Sequence, residues 1–128
     1  MIVQNAESGN VLGTAIEVAE TSSKRAKGLL GRDALADGEG LLFKRCSSLH
    51  TFFMRFPIDI AYIARDGRVL KIANAVPSFR ICVAPLRAFY ALELPAGSLA
   101  ASKTRVKDML RFVDEVDLEA PEPLPAAA

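Results

Sequence analysis

A two-residue turn in the middle of the chain constrains the fold more than any other sequence feature. Asp66-Gly67 favours a tight β-hairpin, because Asp and Gly tolerate the backbone conformation that such a turn needs. Residues 58–65 before it are largely apolar on both faces, which predicts a strand in the interior of a sheet. Residues 69–73 after it supply the partner strand. The chain is therefore expected to fold around antiparallel β-structure.

Short strand-like segments recur along the chain with turn residues between them. They are residues 2–3 and 13–19 as an opening hairpin, 41–43 as a buried strand, 79–83 between two prolines, and 88–94 with clean alternation. Periodicity alone does not decide whether Val106, Met109, Leu110 and Val113 form one helical face or part of a last strand, so the conformation of residues 98–113 stays open. A short helix is predicted near residues 22–30, preceded by capping hydroxyls and ended by Gly31. We predict a mainly β fold, sandwich-like or a jelly-roll-like barrel, with this one helix.

The length of 128 residues suits one domain with its own core, which we expect to span residues 1–116. Residues 117–128 are acidic and rich in Pro and Ala, so we expect a disordered tail. All 16 Lys and Arg precede residue 113, with ten of the 15 Asp and Glu, whereas the other five acids follow it. The body is thus basic and the tail acidic. Such a body could meet an anionic ligand, a nucleic acid or its own tail.

Composition excludes several classes of protein. No apolar run approaches the roughly 20 residues of a membrane span, and the N-terminus lacks the features of a signal peptide, so we expect a cytoplasmic protein with no membrane partner. The two cysteines, Cys46 and Cys82, suit reduced thiols better than a disulfide framework. The single histidine, His50, excludes a zinc centre of several imidazoles, and we predict neither metal nor cofactor. The basic residues are scattered, which disfavours a nucleic-acid site.

One stretch, residues 46–59, concentrates the residues with chemical potential. Cys46, His50 and Met54 repeat every four residues and are ligand types that suit Cu(I). Four residues span about 13 Å along a strand, however, and residues 51–53 favour a strand. This distance disfavours direct chelation, and it also disfavours a Cys46–His50 nucleophile and base. We predict that the three side chains mark one side of an extended segment.

Two carboxylates, Asp59 and Glu93, lie within apolar strand-like runs, which predicts their partial burial. A buried carboxylate is paired, hydrogen-bonded or raised in pKa. The favoured interpretation of Asp59 is structural: it caps a turn or pairs with an arginine such as Arg32 or Arg55. If both carboxylates meet His50 in one cleft, the three groups could perform acid/base chemistry.

The leading hypothesis is a small β domain that binds an anionic or polyhydroxylated ligand. Its pocket would be lined by His50, Thr51, Arg55, Asp59 and Glu93, with Arg32 or Arg55 favouring negative charge. One alternative is a hydrolase or lyase that uses Asp59 and Glu93 with His50. Another alternative is a protein-interaction module. The residues leave open the ligand, the existence of catalysis and the oligomeric state.

Five motifs in order resemble the family known as domain of unknown function 192. They are Arg25-Ala-Lys-Gly-Leu-Leu-Gly-Arg32, Gly40-Leu-Leu-Phe43, His50-Thr-Phe-Phe-Met-Arg-Phe-Pro-Ile-Asp59, Asp66-Gly-Arg-Val69 and Leu92-Glu-Leu-Pro-Ala-Gly97. The resemblance implies a small, mainly β, sandwich-like or jelly-roll-like domain without an established role. This chain has Phe53-Met-Arg-Phe56 where many members carry Trp-Met-Lys-Asn. It also has Lys107-Asp108 where the family tends to place Gly-Asp in its last turn.

Overall fold

Strands dominate the part of the chain that the computed structural model describes, which comprises residues 1–19, 33–45, 48–51 and 54–114. In chain order the elements are β1 (Ile2–Asn5), β2 (Val11–Gly13), β3 (Ala15–Ala19), β4 (Glu39–Lys44), β5 (Ser48–His50), β6 (Ile58–Ala64), β7 (Val69–Val76), β8 (Ile81–Val83), β9 (Ala88–Pro95), α1 (Ser98–Ala101) and β10 (Leu110–Val113). They form a five-stranded sheet of order β3-β4-β9-β6-β7, a three-stranded sheet of order β10-β1-β2 and a two-stranded ribbon of β5 and β8. The prediction of a mainly β fold is confirmed.

The hairpin predicted at Asp66-Gly67 joins β6 to β7 in the five-stranded sheet. Gly67 has a φ of 101°, and a Cβ at this position would lie 2.6 Å from the carbonyl oxygen of Leu110. Glycine is therefore required both by the turn and by the close approach of the first residue of β10. Six of the seven residues of β6 are buried, as expected for a strand with both faces covered.

The opening of the chain forms two pieces rather than one ribbon. β1 and β2 pair as an antiparallel hairpin, but the second strand ends at Gly13. β3 then leaves this sheet and pairs in parallel with β4. The predicted hairpin over residues 2–19 is therefore wrong for its second half, because residues 15–19 pair with β4 and not with β1.

Two clusters of buried side chains cover the two faces of the five-stranded sheet. The first cluster packs this sheet against the three-stranded sheet and α1, and it contains Val3, Leu12, Ile16, Leu42, Ala61, Ile63, Val69, Leu92, Leu94, Leu99 and Leu110. The second cluster packs the opposite face against the β5–β8 ribbon and the segment after β5, and it contains Ala19, Leu41, Phe43, Met54, Ile58, Ile60, Tyr62, Val76 and Ala91. The layers are sandwich-like and do not close into a barrel.

Of the two structures that periodicity allowed around Val106 to Val113, the chain forms the strand, and a short helix precedes it. The chain forms the short helix α1 directly after β9 and returns as β10 beside β1. The helix predicted near residues 22–30 and the tail predicted at 117–128 lie outside the described residues. No helix in the described ranges is long and apolar enough to cross a membrane.

Candidate functional site

Glu93 places a carboxyl group on the face of the five-stranded sheet that the second cluster covers. It lies on β9, opposite Leu41 of β4 and Ile60 of β6, and residues opposite each other in a sheet point to the same face. Only 4% of its surface is exposed. None of the hydrogen bonds or ion pairs given for the described residues engages its carboxylate, and burial raises its pKa to about 8. At neutral pH Glu93 is therefore mainly a neutral acid that can both donate and accept a hydrogen bond.

Asp59 lies on the opposite face of the same sheet. It is directly opposite Leu94, which belongs to the first cluster. Its Oδ1 accepts a hydrogen bond from the Ala75 backbone N–H at 2.8 Å, and its Oδ2 accepts bonds from the N–H groups of Gly97 and Leu99 at 3.0 Å each. Asp59 thus holds a bend of β7 and the first turn of α1.

The two carboxylates consequently face different layers of the molecule and do not meet in one cleft. The turn-capping interpretation of Asp59 matches its bonds, whereas the arginine partner considered for it does not occur among the described residues. Arg55 instead forms an ion pair with Asp33, with 2.8 Å between Nη1 and Oδ1, and 59% of its side chain is exposed. Arg32 lies outside the described residues.

The segment that carries His50, Thr51 and Arg55 lies over the Glu93 face. Leu49 and Met54, within this segment, pack into the second cluster. Thr51 is buried, and its hydroxyl donates to the carbonyl of Pro77 at 2.6 Å and accepts from the Arg80 N–H at 2.9 Å.

Thr51 therefore fixes the segment over the sheet by bonding it to the residues around β8. His50 and Arg55 on either side of it are exposed. His50, Thr51 and Arg55 thus lie in the segment that covers one face of the sheet, and Glu93 lies on that face. Asp59 is on the opposite face of the sheet.

The repeat of Cys46, His50 and Met54 is only partly extended. β5 ends at His50, and the Met54 N–H then bonds back to the Thr51 carbonyl at 3.2 Å, so the chain turns. His50 is exposed whereas Met54 is buried. Cys46 lies outside the described residues, and Cys82, on β8, is a half-buried free thiol.

Two surface depressions in the described part of the chain involve residues that the sequence did not single out. The first, of about 580 Å³, lies beside α1 and includes Gly13, Gly38 and Gly97. The second, of about 510 Å³, lies beside the β8–β9 connection and includes Arg45, Arg65 and Phe89. Neither depression includes His50 or Glu93. No local sequence signal could have found them, because their walls come from segments far apart in the chain.

The layered sheets define a small sandwich-like β domain with one buried carboxyl group on each face of its larger sheet. The family model of DUF192, described as Uncharacterized ACR, matches residues 3–112, and the chain belongs to this family. The resemblance noted from its motifs is thereby confirmed.

Relatives of known sequence or structure agree with this assignment. The chain is 30% identical over 100 residues to UPF0127 protein PH1112 of Pyrococcus horikoshii, covering 76% of this chain and 86% of that protein. It resembles a crystal structure of a protein of unknown function from Novosphingobium aromaticivorans, with a TM-score of 0.76, 28% identity, and coverage of 87% of this chain and 82% of that one. A structure from Sinorhizobium meliloti, for which a role as transcription regulator has been suggested, matches with a TM-score of 0.76, 26% identity, and coverage of 86% and 89%. The function of the family is not established.

Proposed function

We propose that the chain is a ligand-binding domain whose site lies between the Glu93 face of the five-stranded sheet and residues 48–51 and 54–55. The observation that carries this proposal is Glu93 itself. A carboxyl group that is buried in an apolar layer without a described partner destabilises the fold. Binding a polar ligand would supply the missing hydrogen bonds and thereby offset this cost.

The chemistry of the surrounding groups favours an anionic or polyhydroxylated small molecule. Protonated Glu93 can donate to a ligand oxygen and accept from a ligand hydroxyl. Arg55 keeps guanidinium donors beyond the one bonded to Asp33, and these suit a carboxylate or phosphate. His50 adds an imidazole ring, whose nitrogens can form hydrogen bonds to a ligand.

Binding is tested with a probe panel of monosaccharides, disaccharides and sugar phosphates, measured by calorimetry at pH 6.5 and pH 9. We expect at least one probe to bind more tightly at pH 6.5, because Glu93 is protonated there and deprotonated at pH 9. Glu93→Leu should abolish this binding and still fold, since an apolar side chain suits the layer. Because glutamine does not ionise, Glu93→Gln should lose the part of the affinity difference between pH 6.5 and pH 9 that arises from Glu93.

Glu17→Gln is the matched control for these variants. Glu17 lies opposite Leu41 in the same row of the sheet as Glu93, but its side chain is exposed at the sheet edge. The same change of acid to amide there should leave binding unaltered. Retention of full probe affinity in a folded Glu93→Leu variant would overturn the assignment of Glu93 to the site.

The raised pKa of Glu93 favours one second candidate, a hydrolase or lyase that uses this residue as a general acid. Asp59 would have no direct part, because its oxygens are already bonded on the other face. Such an enzyme should act on a panel of chromogenic esters and glycosides with a rate that falls near pH 8. Activity that survives in Glu93→Gln with the same pH profile would exclude this role.

A further inference from the structure

The second depression has a combination of charge and apolar surface that suits an acidic, partly apolar peptide. Arg45 and Arg65 lie at its wall with Phe89, and the guanidinium carbon of Arg65 lies 4.3 Å from the centre of the Phe89 ring. Val83 and Leu86 also line it, and they are 65% and 102% exposed. Exposed apolar side chains beside arginines provide two kinds of contact at once, apolar packing and charge-assisted hydrogen bonds.

No carboxylate neutralises these arginines in the described part of the chain. The depression is lined without any Asp or Glu, and the ion pair found among the described residues joins Arg55 to Asp33 at another place. The charged residues that line the depression are therefore all positive, which favours an acidic occupant.

The C-terminal end of β10 leads to this depression through a row of aromatic rings. The ring of Phe112 lies 5.2 Å from that of Tyr90, and Tyr90 lies 4.7 Å from Phe89, which lines the depression. Asp114, the last described residue, follows two positions after Phe112. The tail therefore leaves the body within roughly 25 Å of Arg65, a distance that about eight extended residues can span.

Residues 115–128 have the matching composition. They read Glu-Val-Asp-Leu-Glu-Ala-Pro-Glu-Pro-Leu-Pro-Ala-Ala-Ala, with four acids and no basic residue. Val116 and Leu118 alternate with the acids, so an extended strand would present carboxylates on one side and apolar groups on the other. The three prolines restrict the unbound chain and reduce the entropy lost on binding.

We propose that residues 115–128 bind in cis to the depression, with their acids on Arg45 and Arg65 and with Leu124 on Val83 and Leu86. Tethering gives the tail an effective concentration of about millimolar, so even a weak site is occupied by it. The tail thereby competes with any other acidic ligand for this face.

The test measures binding of a fluorescent peptide of residues 114–128 to full-length chains at low salt. In one chain the tail acids are neutralised by the substitutions E115Q, D117N, E119Q and E122Q. We expect this chain to bind the peptide at least about tenfold more tightly than the native chain, whose own tail occupies the site. Raising the salt concentration should weaken the binding.

Charge reversal locates the site. Adding Arg45→Glu and Arg65→Glu to the neutralised-tail chain should abolish peptide binding. The control chain carries Arg80→Glu and Arg105→Glu instead. These two arginines are exposed and do not line the depression. Their reversal changes the net charge equally but should reduce peptide binding far less.

Equal peptide affinity of the native and neutralised-tail chains, including no binding to either, would overturn the proposal. Binding that survives the Arg45 and Arg65 reversals would overturn the assigned site. Sedimentation of the native chain separates cis from trans binding. A dimer that depends on the tail would contradict cis binding, because the tail would then occupy the depression of a second copy.

Discussion

Glu93 and Asp59 demonstrate how two buried carboxyl groups in one sheet acquire different properties. Asp59 accepts three backbone hydrogen bonds that satisfy its charged form. Glu93 faces apolar side chains, so its neutral form is favoured and its pKa is raised. The two carboxyl groups therefore differ in the chemistry of their surroundings and not in the depth of burial, which is nearly complete for both.

The raised pKa of Glu93 makes stability depend on pH. The folded state retains a proton on Glu93 up to about pH 8, whereas the unfolded chain releases it near pH 4.5. The stability of the folded state is thus fully present below pH 4.5 and decreases as the pH rises toward 8. In Glu93→Gln this decrease should disappear, and at pH 8 the variant should be more stable than the native chain.

Urea denaturation of the two proteins between pH 4.5 and pH 9 measures this difference. Glu17→Gln, with its exposed side chain, should follow the native curve. Parallel curves for Glu93→Gln and the native chain would show that Glu93 is not titrating in this range.

Lys107 has a left-handed backbone, with a φ of 80°, at the position where the family tends to have glycine. A side chain in this region costs about 1 kcal/mol, which glycine avoids. The backbone bonds of Lys107, to Val69 and to the Arg68 guanidinium, do not require its side chain. Lys107→Gly should therefore raise the free energy of unfolding, by up to about 1 kcal/mol, since greater freedom of the unfolded chain offsets part of the gain.

Lys107→Ala is the appropriate comparison for chemical denaturation, because alanine removes the lysine side chain but retains the Cβ and its strain. We expect it to match the native chain. If alanine and glycine stabilise equally, the gain arises from removing the lysine and not from backbone relief.

At the scale of elements, α1 depends on a strand that is distant in sequence. The residue before the helix, Gly97, has a φ of 92° and cannot supply a side-chain cap. Asp59 of β6 replaces that cap by accepting the N–H groups of Gly97 and Leu99. The same side chain also fixes Ala75 in β7, at a left-handed φ of 47°. One residue thereby joins the end of β9, the helix and an irregularity of β7.

Asp59→Ala should reduce the free energy of unfolding by about 3 kcal/mol or more, because three backbone donors lose their acceptor in a buried place. Hydrogen exchange should show the largest effect at Ala75, Gly97 and Leu99. The exposed Asp114 provides the control, and Asp114→Ala should alter neither quantity. A loss spread evenly over all strands would contradict the capping role.

At the scale of the whole molecule, the two faces of the five-stranded sheet are covered unequally. The three-stranded sheet contributes the fully buried Val3, Leu12 and Leu110 to the first cluster. The ribbon has strands of three residues each, and it contributes only partly buried side chains such as Leu49 and Cys82 to the second. A two-stranded ribbon is marginal by itself, so this layer is held mainly by its packing on the sheet.

We expect the amide protons of β5 and β8 to exchange at least about tenfold faster than those of β6 and β9, because the ribbon can open without unfolding the sheet. Thr51→Val, which removes the hydroxyl bonds to Pro77 and Arg80, should accelerate exchange in the ribbon alone. Hydrogen exchange followed by mass spectrometry measures both effects. Equal exchange in all four strands would show that the layers open as one unit.

The sequence by itself determined the elements whose causes are local. The Asp66-Gly67 turn, the doubly buried β6, the strands β4 and β9 and the family motifs all follow from neighbouring residues. Tertiary structure decided how these elements combine. The sequence did not reveal that β3 would leave the opening hairpin, because the strand that pairs with it is β4, more than 20 positions along the chain.

Tertiary structure also separated the two carboxylates. Alternation normally distinguishes a core face from a solvent face, but β6 and the middle of β9 are buried on both faces, so their patterns could not tell which face Asp59 or Glu93 occupies. Only the register between these strands, 34 residues apart at the two carboxylates, places Asp59 against α1 and Glu93 beneath the ribbon. That register is set by packing over the whole sheet, which no local stretch of sequence contains.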